Sequence, residues 1–263
     1  MMHRRVRVVV VGSGNVAECF VRAISRHDDM ELVQLFARNP ERGCAVARMA
    51  SVSWCGCPEE LAEADIYIVA VSDRAVGEVA ASLPLPREAL LVHTAGSVPL
   101  AALPERGGRC GIIYPLQSFS AGREVDLESV PLFVEGGSEA VTAELLHFAG
   151  MLSQRVAYAD SERRRVLHLA GVLVNNFVNT LYAEGAAIVE REGLSFEVLK
   201  PLIVETAAKA ASVADPRSVQ TGPAVRGDRS VIERHLAMLA EDEELQRIYN
   251  DLTRRIWETS KRI

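Results

Sequence analysis

The apolar positions fall into two regimes that meet near Asp160. Before it, short β-branched or mixed apolar runs alternate with amphipathic stretches. Strands are predicted in "VRVVVV" (6–11), "ELVQLF" (31–36), "ADIYIVAVSD" (64–73), "ALLVHTAGS" (89–97) and "GRCGIIYPLQSFS" (108–120), the last stopped by Pro115. Shorter candidates lie in "VPLFVEG" (130–136) and "QRVAYAD" (154–160), with an amphipathic helix over 138–152 between them. Strands alternating with helices imply an α/β fold, a doubly wound and mostly parallel sheet that takes ligands at the carboxyl ends of its strands. After Asp160 the period becomes helical, over 161–192, 196–214, 228–239 and 243–260. Residues 1–160 therefore form an expected Rossmann domain, and 161–263 a second, all-α domain for substrate and dimerisation.

The first run ends in Gly12-x-Gly14-x-x-Ala17 and leads into a helical pattern. Gly12 permits a tight turn, Gly14 lets the backbone approach a pyrophosphate, and Ala17 lets helix pack closely on strand. The helix start then offers N–H groups and a partial positive charge to phosphate, which places the pyrophosphate against Gly12, Ser13, Gly14, Asn15 and Val16. An NAD site would show a carboxylate at the end of the second strand. Here that strand runs out as Phe36-Ala37-Arg38-Asn39. Arg38 can pair with a 2′-phosphate and Asn39 can add a hydrogen bond, which favours NADP over NAD and argues against an adenosyl-dependent methyltransferase. Later strand tips bring Val71, Ser72 and Asp73, then Thr94, Ala95 and Gly96, to the expected cofactor path. His93, Tyr114 and Gln117 lie near the same edge as substrate candidates, or as groups that only cap loops.

"HLAGVLVNNFVNT" (168–180) is apolar on nearly every side yet holds a histidine and three asparagines. At about 100° per residue, His168 and Asn175 lie within about 20° of each other, and Asn179 and Tyr182 continue the line within roughly 40°. Such a line faces a wet cleft or another buried polar surface, including a subunit contact. Asn176 falls off it, which points that amide toward a neighbouring helix. A second unusual stretch, "DPRSVQTGPAVRGDRS" (215–230), breaks the helical pattern and holds Thr221, Arg226 and Asp228. The two charged groups there either pair with each other or grip a polar ligand.

Composition removes several classes. The 263 residues are 49% hydrophobic with a net charge of -6, and no basic stripe with interleaved aromatics marks a nucleic-acid partner. The apolar run after the first arginines is too short for a signal peptide, and no stretch reaches the roughly 20 apolar residues of a membrane span. The five cysteines are odd in number and scattered, and Cys55-Gly-Cys57 lacks zinc-knuckle spacing, so no metal site is expected. A cytoplasmic protein with reduced thiols is the expectation. The long apolar helix in a small helical domain adds that of a homodimer.

Taken together, "HTAGS", "YPLQSFS", the "HLAGVLVNNFVN" helix and "QTGPAVRGD" followed by "IERHLAML" resemble a bacterial family that joins a Rossmann-like domain to the helical domain of unknown function 2520. Its members are provisionally described as NADP oxidoreductases, and the layout is more distantly similar to pyrroline-carboxylate reductases, β-hydroxyacid dehydrogenases and deazaflavin-dependent NADP reductases. The β-hydroxyacid dehydrogenases use a lysine one helical turn before a paired asparagine. Matching that pair to Asn175-Asn176 puts Gly171 at the lysine position, so their mechanism does not carry over. His168, a further turn back, is the nearest group able to exchange a proton near neutral pH. The resulting expectation is hydride transfer between NADPH and a C=O or C=N bond of a small polar substrate. His168 would give the proton while Asn175 and Asn179 orient the substrate. The alternatives are a non-catalytic NADP-sensing module and a deazaflavin-coupled NADP reductase.

Overall fold

The structure is a computed structural model that describes residues 4–260. Its backbone clusters into two compact units, the first ending at Asn176 and the second beginning at Phe177.

The first unit is built on one eight-stranded sheet. Its strands are β1 (Val6–Val11), β2 (Met30–Phe36), β3 (Ser53–Cys55), β4 (Ile66–Val69), β5 (Leu90–His93), β6 (Cys110–Pro115), β7 (Leu132–Gly136) and β8 (Val156–Tyr158), in spatial order β3-β2-β1-β4-β5-β6-β7-β8. Every neighbouring pair is parallel except β6 with β7. That exception follows from the connection. Parallel neighbours need a long crossover, usually a helix, whereas 116–131 contains only a 3₁₀ turn at Leu127–Ser129. The strands are apolar at successive positions because both faces are covered. Val8 and Val10 join the core on one face, beside Phe20 and Ile24 of α1 (Asn15–Ser25). Val9 and Val11 join the core on the other, beside Val76 and Val79 of α3 (Val76–Ser82). Between these helices in sequence, α2 (Pro40–Met49) starts on an Asn39 cap. Further on, α4 (Glu139–Leu152) starts on a Ser138 cap and covers β6–β8.

After the Asp160 cap, α5 (Ser161–Gly171) runs into a π-helical turn at Val172–Asn176, and the first unit ends there. The chain remains helical from Ser161 to Arg191. By length and composition alone, with a mean hydropathy of 1.2 over 18 residues, this helix matches a membrane span, which corrects the expectation that no such stretch exists. A histidine and three asparagines interrupt its apolar surface.

The second unit holds α6 (Phe177–Arg191), α7 (Lys200–Ala211), the single turn α8 (Pro223–Arg226), α9 (Arg229–Met238) and α10 (Glu243–Ser260). Gly227 ends α8 at φ +66°, with Trp257 packed where a β-carbon would stand. Asp228 caps α9 by accepting from Val231 N and from Ser230 Oγ. The side chain expected to pair with Arg226 or a ligand thus serves as a helix cap.

Candidate active site

At the carboxyl ends of β1, β2 and β4 a cleft of about 570 Å³ is lined by Gly12, Ser13, Gly14, Asn15, Arg38 and Asn39, with Val71 and Ser72 opposite. Gly12 sits at φ +126°, and a β-carbon there would meet Ala70 O at 2.2 Å, so β1 and β4 can converge only over glycine. Gly14 is the N-cap of α1 and offers no side chain to cap it, and nothing lies within 4 Å of where its β-carbon would be. The loop is held from α2. Arg42 donates from Nε to Ser13 O (3.1 Å) and from Nη2 to Glu18 Oε2 (2.8 Å). Arg38 is two-thirds exposed and 3.8 Å from Glu78, while Asn39 accepts from Arg42 N at 2.9 Å to cap α2. An uncapped helix start, an open glycine and a projecting arginine at the second strand tip fit a dinucleotide with a 2′-phosphate.

A second cleft, of about 350 Å³, shares the walls Val16, Val71 and Phe119 with the first. Phe119 is brought there by Asn15, whose Nδ2 donates to Phe119 O at 3.0 Å. Around the cleft stand Asp73, Thr94, Ala95, Gly96, Tyr114 and Gln117, faced by His168, Asn175 and Asn176 from the long helix. His168 Nδ1 lies 3.4 Å from the Tyr114 hydroxyl, with the two rings edge to face. Gly96 makes this pairing possible, since a β-carbon there would be 2.8 Å from His168 Nδ1 and 2.7 Å from Tyr114 Cε2. Burial and then the Asp73 charge push the Tyr114 hydroxyl upward.

The π-turn changes one expectation. An ideal helix takes Asn176 off the polar line, but the wider turn at Val172–Asn176 presents both Asn175 and Asn176 to the cleft. Such insertions occur often at functional sites. Nothing in residue spacing announces it. Asn179 lies in the second unit, exposed on α6, as Thr221 lies exposed before α8. Phe119 and the buried Arg164 escaped sequence reasoning. Phe119 lies in a loop without periodicity, and Arg164 belongs to a run of charges that resembles a solvated helix start.

His93 also departs from expectation. It is 0% exposed and outside the cleft lining, and its Nδ1 accepts from Ala95 N at 3.1 Å. It therefore shapes the 94–97 turn from within. Burial, and next the Arg164 guanidinium, lower its pKa from 6.5 to about 4. The imidazole is neutral in both folded and unfolded chains above 6.5, and only the unfolded chain takes the proton as pH falls toward 4. Stability present above 6.5 is thus lost through that window, by about 3 kcal/mol for a shift of this size. Urea unfolding at pH 7 and pH 4.5 should show His93→Gln losing correspondingly less stability than the parent chain. Equal losses would count against this role.

The profile of a family described as coenzyme F420-dependent NADP oxidoreductases matches residues 7–96, and that of a domain of unknown function (DUF2520) matches residues 130–256. No curated protein matches the chain. Among solved structures, a Bacteroides fragilis protein provisionally described as an NADP oxidoreductase is 39% identical, with a TM-score of 0.87 over 97% of this chain and 98% of its own. A Thermotoga maritima protein is 21% identical, with a TM-score of 0.74 over 97% and 98%. A reductive aminase from Aspergillus terreus, solved with NADPH and ethyl-5-oxohexanoate, is 14% identical, with a TM-score of 0.68 over 98% and 93%.

Proposed function

The chain belongs to the family of NADP oxidoreductases that join a Rossmann domain to the helical domain of unknown function 2520, and from that premise we propose an NADPH-dependent reductase of a C=O or C=N bond in a small polar substrate. The observation that carries this reading is the continuity of the two clefts. The dinucleotide cleft and the His168–Tyr114 cleft share Val16, Val71 and Phe119, and that continuity supports placing the proton donor beside the end of the cofactor path. Bound NADPH would supply the hydride. Gly12, Ser13, Gly14, Asn15 and Val16 would hold the pyrophosphate, Arg38 and Asn39 the 2′-phosphate, and Val71, Ser72, Asp73, Thr94, Ala95 and Gly96 the remainder of the path. His168 gives the proton, and Asn175 and Asn176 orient the substrate beside Tyr114 and Gln117. Asn179, Thr221 and the second unit belong to the substrate and dimerisation part of the chain.

Calorimetric titration with NADPH and NADH tests the cofactor assignment. Arg38→Ala should weaken NADPH roughly 30-fold, the loss of a charge-assisted pair, and leave NADH unchanged. Failure of both nucleotides to bind the parent protein would overturn the reading. The profile match at 7–96 covers only the dinucleotide part of the chain, so it supports NADP without supporting a deazaflavin partner.

We also infer a homodimer of a soluble, cytoplasmic protein. Val166, Leu169, Leu173 and Val174 stand exposed in the first unit, as Phe177 and Leu202 do in the second, and a second copy is the occupant best matched to such surfaces. The cysteines Cys19, Cys44, Cys55, Cys57 and Cys110 are all free thiols, in keeping with a reducing compartment. Light scattering at working concentration should give twice the chain mass.

A further inference from the structure

The charge of the cleft beside His168 narrows the substrate class, an inference that rests on the reductase reading. Among the described residues lining that cleft, Asp73 is the one acidic side chain, and no lysine or arginine lines it. The other polar groups are His168, neutral amides and hydroxyls, and the rest of the wall is apolar, with Leu116, Phe119 and Val172 prominent. Asp73 opens the 3₁₀ turn that follows β4, is exposed, and accepts a hydrogen bond from Ser97 Oγ. Arg74, exposed next to Asp73 in the chain, is outside the lining, and the buried Arg164 is already engaged. Arg164 donates from Nη1 to Glu135 Oε2 and from Nη2 to Val98 O, each at 2.6 Å, and is 1% exposed.

Among the described lining residues an anionic substrate would meet a carboxylate and no cation. A carboxylate-bearing imine or a keto acid is held most strongly by an arginine or lysine, and this wall offers it only amides and hydroxyls. A cation meets the opposite situation, since the Asp73 carboxylate at the cleft attracts it even from an exposed position. We propose that the substrate is reduced as an iminium cation with a hydrocarbon body and no carboxylate, and that Asp73 is the residue that selects it. The chemistry balances on that form. Hydride addition at the carbon of a C=N⁺ bond moves the π pair onto nitrogen and gives a neutral amine, with no further proton. A neutral imine must first take one proton on nitrogen, and His168 lies in the same cleft to supply it. The product class is then a substituted amine.

The test uses the whole protein and two readouts. In the first, the protein saturated with NADP⁺ is titrated with a cyclic secondary ammonium ion, its neutral N-acetyl analogue and its α-carboxylate. The ammonium should bind about tenfold more tightly than either, Asp73→Asn should remove that preference, and Asp73→Lys should turn it toward the carboxylate. NADPH affinity measured on each variant separates cofactor loss from substrate loss. In the second, NADPH oxidation is followed with the cyclic imine, its N-methyl iminium salt, the ketone of the same ring and the carboxylate-bearing imine. Faster turnover of the two uncarboxylated C=N compounds supports the proposal. Equal binding of all three ligands, or a preference that survives Asp73→Asn, overturns it. Asp73-dependent ammonium binding with no NADPH oxidation by any compound would keep the cation site and overturn the reductase reading instead.

Discussion

Arg164→Met should lower the unfolding free energy by about 3–5 kcal/mol, the cost of breaking a buried pair from one side. The guanidinium is 1% exposed and its partner Glu135 13%, so little water is at hand to replace either. Removing the arginine strands the Glu135 carboxylate and leaves Val98 O without its 2.6 Å donor. Ser161 remains and donates to Glu135 Oε2 at 2.8 Å, while its own oxygen accepts from Leu100 N at 3.2 Å. That single hydroxyl cannot neutralise a charge. For a chain of this size the melting temperature should fall by roughly 10 °C. The double change Arg164→Met/Glu135→Leu should recover most of the loss, because an apolar pair of similar volume often does as well as a buried ion pair. Urea unfolding of the two variants decides it. A single variant within about 1 kcal/mol of the parent would mean that Glu135 is rehydrated at small cost.

The same network has a consequence for the cleft. Arg164 lies one helical turn before His168 and ties the start of α5 to the carbonyl of Val98, just beyond the turn that holds Gly96. His93 props that turn from inside through Ala95 N. The clearance at Gly96 between Tyr114 and His168 is therefore set by buried groups that never reach substrate. Reacting groups displaced by about 1 Å commonly lose 10²-fold in rate, so this support matters to chemistry as well as stability.

How much of this was legible in sequence depended on how local each cause is. The β-branched runs and Gly12-x-Gly14 identify the sheet and the dinucleotide end because strand burial and a tight turn are properties of short segments. β3 is three residues long, Ser53–Cys55, and carries no apolar alternation that would reveal it. The reversal at β7 was available in principle, since 116–131 shows no helical period and so no crossover. Asn176 required knowledge of the π-turn, which arises from packing. Arg164 is one of three consecutive arginines, and only Glu135, 29 positions earlier in the chain, distinguishes it from a solvated neighbour.

His168→Ala should cut turnover of a neutral imine or ketone by about 10²- to 10⁴-fold, the range for loss of a positioned general acid. No lysine lines the described cleft, so no ammonium there can take over the proton. Tyr114 is the neighbouring hydroxyl, 3.4 Å from His168 Nδ1, but burial and the Asp73 charge hold its proton more tightly than an ordinary phenol. It is suited to orient the imidazole or the substrate, and less suited to act alone. The discriminating substrate is the N-methyl iminium salt, whose nitrogen needs no proton. Its reduction should change less than about threefold in His168→Ala if proton delivery is what the imidazole contributes. Equal loss on both substrates would instead make His168 a positioning group for bound substrate. Full activity on the neutral imine would move the proton donor to Tyr114, and Tyr114→Phe would then show the loss that His168→Ala does not.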